Sequence, residues 1–171
     1  MTGVDHDSFV AGFKDAMAEL ASGVTLLTVA VAAERVDLGM TITSLTSASL
    51  EPPMVAAAIG RSTSLAPYLY PGARVGLSIL AADQHELAAD FSRKGRPSAD
   101  EILKDRPHRR GGLTNALLAG GALAQIEGVV EQNLAAGDHS LVVIAVLRTD
   151  VPATTEAALA YHRRAYTRTD C

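Results

Sequence analysis

The chain has 171 residues, 48% hydrophobic and 20% charged, with a formal net charge of -4 and a single cysteine, Cys171. This balance predicts one globular domain over 1–171, with a core of Ala, Val, Leu and Ile because aromatics are only 4% and Trp is absent. It argues against nucleic-acid binding, which draws its affinity from neutralised phosphates, and the lone cysteine excludes an intrachain disulfide and the usual structural zinc patterns. No run of about 18 apolar residues is present to cross a membrane, and MTGVDHDSF carries acids where a signal peptide needs an apolar run. A cytoplasmic protein is the expectation.

Phe9, Phe13, Met17 and Leu20 recur at helical spacing and predict an amphipathic helix packed on the core, with Asp5 or Asp7 at its start and Gly23 as its end. Val24 to Val31 is β-branched and apolar, a strand, followed by a polar turn over Glu34 to Asp37. Met54 to Ile59, behind Pro52-Pro53, and Arg74 to Leu80 read as further strands. Asp83 is placed to cap a helix whose apolar face holds Leu87, Ala88 and Phe91. Lys94 to Gly112, polar, basic and rich in Pro and Gly, reads as a mobile surface excursion with a helical piece at Ala99 to Lys104. Leu123 to Val130 and Ser140 to Arg148 are strands joined by the turn Ala135-Ala136-Gly137-Asp138, and a final short strand lies in Leu159 to Tyr166. Many short strands with two or three helices between them suggest a closed or nearly closed antiparallel sheet. No Gly-x-Gly-x-x-Gly sits between strand and helix, so a Rossmann dinucleotide fold is not supported.

Four stretches could carry chemistry. Gly39 to Pro53 holds hydroxyls at Thr41, Thr43, Ser47 and Ser49, which on one continuous strand would share a face. Such a row suits a polar ring edge or a phosphate, since each hydroxyl donates without adding a charge to desolvate; an ordinary outward-facing edge strand explains it equally well. Arg61-Ser62-Thr63-Ser64, between a strand and an apolar stretch, fits an anion site or a plain helix cap. Asp138-His139 opens a strand; it fits an acid-oriented histidine or a surface turn, and no His or Cys at ligand spacing suggests a metal. Tyr161 to Tyr166 alternates aromatic and basic residues, as a cofactor cleft or a solvated terminal strand would.

In their order, these segments resemble the flavin reductase family that serves two-component flavin monooxygenases. The likeness runs from LASGVT through GMTITSLTSASLEPPMV, Arg61 to Ser64, GARVGLSIL and QHELA with Phe91, to Gly137-Asp138-His139 and the Tyr161 to Tyr166 tail. The resemblance implies a mainly β fold with flanking helices, an FMN-binding split β-barrel of Greek-key-like antiparallel strands. It implies a homodimer with flavin near the subunit interface. It also implies hydride transfer from NADH, or NADPH, to FAD or FMN, with reduced flavin supplied to a partner monooxygenase. By position, Thr41, Thr43 and Ser44 would meet the isoalloxazine edge or ribityl chain. Ser47 and Ser49, with Arg61, Ser62, Thr63 and Ser64, would hold the ribityl and phosphate. Phe91 and Lys94 would lie near the flavin tail. Asp138 and His139 stand in the Gly-Asp-His motif, with His139 placing the nicotinamide as an orienting group, and Arg163 and Tyr166 would border that cleft.

Three positions depart from the family pattern. Ile144 stands where a Gly often follows the motif His by five residues, Gly128 where the preceding strand often has a Cys, and Asp100-Glu101-Ile102 where a second Lys and an aromatic commonly follow the helix. The last removes a cation from the phosphate region and leaves the choice between FMN and FAD open. The competing reading is a non-catalytic flavin- or heme-binding split barrel acting as carrier or sensor.

Overall fold

The structure is a computed structural model that describes residues 5–31 and 36–169. The chain begins with α1 (His6–Ala18), followed by β1 (Ser22–Gly23), β2 (Thr25–Val31), β3 (Val36–Ile42), β4 (Thr46–Leu50), β5 (Pro53–Gly60) and β6 (Arg74–Ile79). Then come α2 (His85–Ser92), α3 (Ala99–Leu103), the short strands β7 (His108–Arg110) and β8 (Leu117–Ala119), the long pair β9 (Ala124–Ala136) and β10 (His139–Asp150), and finally β11 (Leu159–His162) and β12 (Ala165–Arg168). The expected turn before Asp37 and the terminal Cys171 lie outside the described residues, in whole or in part.

Seven strands form one antiparallel sheet in the order β3-β2-β6-β9-β10-β5-β4. Its two edge strands, β3 and β4, are consecutive in sequence, so only Thr43, Ser44 and Leu45 separate the edges. The sheet therefore curls into a barrel whose split is spanned by that link. Ser44 secures it: its Oγ donates to the Ala58 carbonyl at 2.9 Å and accepts from the Ala58 N–H at 3.1 Å.

The period of two along β2 sends Leu27, Val29 and Val31 into the barrel interior and Val24 and Leu26 into a second core outside it. That is why β2 is buried almost end to end. The second core is completed by Leu87, Ala88 and Phe91 of α2, by Ala99 and Leu103 of α3, and by Leu117 and Ala119 of β8. Burying one such Leu or Phe stabilises by roughly 1.5–3 kcal/mol. Close approach needs glycine at several points, Gly39 and Gly76 among them. A Cβ on Gly39 would lie 2.7 Å from the Phe91 ring, and one on Gly76 would lie 2.9 Å from Leu118. The β7–β8 hairpin is fastened over this face by the Thr28 hydroxyl, which donates to the Leu117 carbonyl at 2.6 Å, and by the Ala119 N–H, which donates to the Ser78 hydroxyl at 3.0 Å.

Several expectations are corrected. α1 forms, but its apolar stripe is not packed on the core: Phe9, Phe13, Met17 and Leu20 are 65%, 61%, 47% and 58% exposed. Periodicity identifies the apolar face without saying what covers it. α1 ends at Ala18 rather than Gly23, which belongs to β1. Gly39 to Ser49 is not one strand: the barrel split falls inside it and a register shift follows between Ser47 and Ser49, so the four hydroxyls do not share one face. Asp83 sits in a 3₁₀ turn, Ala82–Gln84, and Gln84 takes the cap position of α2. In the 94–112 segment the expected helical piece forms as α3, while the strand β7 was not expected; Glu101, one of the departures, accepts from the Ser98 N–H at 3.1 Å and so closes the start of α3. The final strand is a hairpin, β11–β12. Among the described residues, no helix is long and apolar enough to cross a membrane.

Candidate functional site

The expected site residues gather around two clefts. The first, about 370 Å³, lies where the end of β3 and the barrel split meet the β11–β12 hairpin, and is lined by Thr41, Thr43, Ser92, Tyr161, Arg164 and Tyr166, with Val24 and Ala165. The Tyr161 and Tyr166 rings pack edge to face with centroids 5.4 Å apart, which fixes that wall. Thr41 donates to the Ala88 carbonyl at 3.2 Å and so ties β3 to α2.

The second cleft, about 480 Å³, is lined by Gly60, Arg61, Ser62, Asp138 and His139. Sheet register creates it, because His139 at the start of β10 pairs with Gly60 at the end of β5. The Arg61 N–H donates to the Asp138 carbonyl at 3.0 Å, joining the two loops. Gly137 turns the β9–β10 hairpin with φ 63°, a conformation that favours glycine. The Thr63 hydroxyl donates to the Gly60 carbonyl at 2.8 Å and tightens the Arg61 to Ser64 turn.

His139 Nδ1 lies 2.7 Å from Asp138 Oδ1. A carboxylate only accepts, so Nδ1 carries the proton and Nε2 is left as the group facing the cleft. The hydrogen bond from His139, together with its charge, holds the Asp138 carboxyl below the usual aspartate range. The pair is exposed, so its worth is orientation of the ring rather than stability.

The hydroxyls divide into two groups. Those of Thr41, Ser44, Ser49 and Thr63 serve the fold, Ser49 by accepting from the Glu51 N–H at 3.2 Å. Those of Thr43, Ser47, Ser62 and Ser64 have no hydrogen-bond partner among the described residues. Ser47 and Ser49 sit on β4 and line neither cleft. Phe91 is fully buried and shapes the β3 wall from behind, while Lys94 stands exposed in the turn after α2. Arg163 points to α1, its Nε donating to Glu19 at 2.9 Å; its neighbour Arg164, which the sequence reading did not single out, borders the first cleft. Ser92 is likewise an addition, and Tyr161, the first residue of the stretch expected to line a cleft, does line it. No sequence signal separates Arg163 from Arg164, since their division depends on the hairpin tip.

The Thr43 hydroxyl and the Arg164 guanidinium in the first cleft, and the Arg61 guanidinium with the Ser62 hydroxyl in the second, are donors suited to the polar ring edge and the phosphate of a flavin mononucleotide. The residues therefore fit such a group.

A family model described as flavin reductase like domain matches residues 17–170. The reductase component of 4-hydroxyphenylacetate 3-monooxygenase from Thermus thermophilus is 31% identical over 156 residues, covering 91% of this chain and 94% of that protein. An NADH-dependent FMN reductase from Agrobacterium fabrum is 32% identical over 138 residues, covering 80% of this chain and 74% of its own. Among solved structures, the flavin reductase component of a bacterial two-component tryptophan halogenase superposes with a TM-score of 0.82 at 29% identity, covering 93% of this chain and 97% of that one. The barrel is thus the split barrel of those proteins, and this chain belongs to the flavin reductase-like family.

Proposed function

We propose that the protein is an NADH-dependent flavin reductase that passes hydride to FMN or FAD and releases reduced flavin to a separate monooxygenase. The observation that carries this reading is the register of β5 against β10, which sets Arg61 and Ser62 beside an Asp138-oriented His139 in one cleft. Relatives named as reductase components of two-component monooxygenases support the partner class.

Bound flavin supplies the chemistry, accepting hydride from the reduced nicotinamide. The chain supplies position. Thr43, at the barrel split, offers a hydroxyl to the ring edge without a charge, and the Tyr161–Tyr166 wall limits the ring's tilt. Arg61, with Ser62 and Ser64, offers a cation and hydroxyls to the phosphate. His139 Nε2 orients the nicotinamide carboxamide. No side chain has to act as a nucleophile, and correct placement alone can be worth up to about 7–11 kcal/mol of barrier.

A homodimer acting in the cytoplasm is part of the same proposal. Its support is the exposed apolar side chains of α1, together with Leu134 and Leu141 on the β9–β10 ribbon, 50% and 39% exposed, since large apolar side chains left in water favour association. The test is steady-state loss of NADH absorbance with purified protein and added FMN or FAD. Saturable turnover that requires free flavin is expected. Flavin binding without turnover would favour the carrier or sensor reading, and no flavin binding would overturn both.

A further inference from the structure

The β11–β12 hairpin turns on two residues, Arg163 and Arg164, whose φ angles are 49° and 63°. A two-residue turn with positive φ at both positions is the place for Asn and Gly; here two arginines hold it. Both are anchored to α1, but differently. Arg163 gives its N–H to the Ala18 carbonyl at 2.8 Å and its guanidinium to Glu19 at 2.8 Å, so backbone and side chain both serve the junction. Among the described residues, the Arg164 side chain is held by its Nη2 contact to Asp15 at 2.5 Å, between side chains 61% and 70% exposed.

Among the described residues, Arg164 is also the one cation lining the Thr41–Tyr166 cleft. An exposed ion pair of this kind contributes little, whereas an arginine fork meets a phosphate with two parallel hydrogen bonds. We propose that Arg164 recognises a phosphate at this cleft, with Asp15 holding it in place until ligand displaces the carboxylate. The inference rests on the flavin reductase reading. Both flavin mononucleotide and the nicotinamide dinucleotide carry phosphate; Arg61 already serves the flavin phosphate in that reading, so Arg164 is assigned to the nicotinamide dinucleotide.

The deciding variant is Arg164→Gly, which removes the cation while giving the turn the residue its backbone favours, so folding is retained. NAD⁺ binding is measured by titration calorimetry, FMN and riboflavin binding by flavin fluorescence, and thermal midpoints in parallel. The expected result is about tenfold weaker NAD⁺ binding, the size of one lost charge-assisted hydrogen bond. KM for NADH should rise by more than kcat falls, FMN and riboflavin binding should stay within about twofold, and the midpoint should be unchanged or raised. Arg164→Lys should recover part of the loss, and Asp15→Asn should tighten NAD⁺ binding. Weaker FMN binding with riboflavin unaffected would overturn the assignment to the dinucleotide. Unchanged NAD⁺ and FMN binding would overturn any phosphate role. A wild-type protein that binds FMN and NAD⁺ yet never oxidises NADH would count against the reductase reading and leave the Arg164 binding result standing on its own.

Discussion

The barrel wall at Gly128 and Ile144 and the hairpin tip at Arg163 and Arg164 both carry residues that run against expectation, but they resolve the conflict differently. In the wall, a Cβ on Gly128 would lie 2.5 Å from Ile144 Cγ2 and 2.8 Å from the Ala145 carbonyl oxygen. Two departures from the family pattern are therefore one exchange: the bulk absent at 128 is supplied by the fully buried Ile144. A close-packed interior requires such compensation locally. At the tip, no neighbour relieves the positive φ values, and ion pairs to Asp15 and Glu19 hold the turn instead. Compensated departures belong to packing, and the uncompensated one borders the candidate site, where strained backbone is commonly found.

The largest effect should come from breaking the wall. Ile144→Gly is expected to cost about 4 kcal/mol by opening a cavity, and Gly128→Cys about 2 kcal/mol by overpacking, both read from urea unfolding. In the double variant a coupling above about 1 kcal/mol should return part of the loss; strict additivity would mean that the two departures are unrelated.

The next effect concerns Glu127, whose neighbour Gly128 starts the exchange. Its carboxylate is 2% exposed and accepts from the Leu113 N–H, the Thr114 N–H and the Thr114 hydroxyl at 2.8, 2.9 and 3.0 Å. Burial alone would raise its pKa, but these hydrogen bonds and the charge of Arg109 together hold it below the ordinary 4.5. A lowered folded pKa contributes stability above the unfolded value, and that contribution is lost as the pH falls through the folded one. Glu127→Ala should cost about 2 kcal/mol at neutral pH by stranding three donors, and its stability should fall less steeply below pH 4.5 than that of the wild type. Parallel acid limbs in denaturant melts would refute the assignment.

His139→Ala should lower kcat/KM by about tenfold, or roughly 1.4 kcal/mol, without abolishing turnover, as suits an orienting group. Full activity would remove His139 from the site. The smallest effect should be that of Arg163→Gly. Relief of a left-handed residue, about 1 kcal/mol, is partly offset by the lost exposed ion pair with Glu19, for a net gain of about 0.5 kcal/mol in thermal melts. A large loss would show that the α1 junction matters more than the turn.

Much of this molecule was legible in its sequence. The β-branched, apolar run in Val24 to Val31 and the apolar spacing of Leu87, Ala88 and Phe91 pointed to strand and helix, and the ordered motifs led to the split barrel. The β7–β8 hairpin escaped because His108–Arg110 is polar and Leu117–Ala119 is only three residues long, too short for a periodic signal. The break between Thr41 and Ser47 was hidden because Thr and Ser suit a strand and a barrel seam alike. The roles of individual hydroxyls were not legible at all, since a serine spent on Ala58 and one left free at position 62 look the same until partners are in place. The cover of α1 was equally beyond reach, because periodicity carries no information about what meets the stripe.

In the proposed function this chain places a flavin to receive hydride directly from NADH. Anaerobic rapid mixing of protein and FMN with NADH, following both absorbances, tests it most directly. NADH should be lost and flavin bleached one for one, with protein-dependent rates that saturate in both. NADH loss without matching flavin bleaching, or bleaching no faster than in protein-free solution, would contradict it.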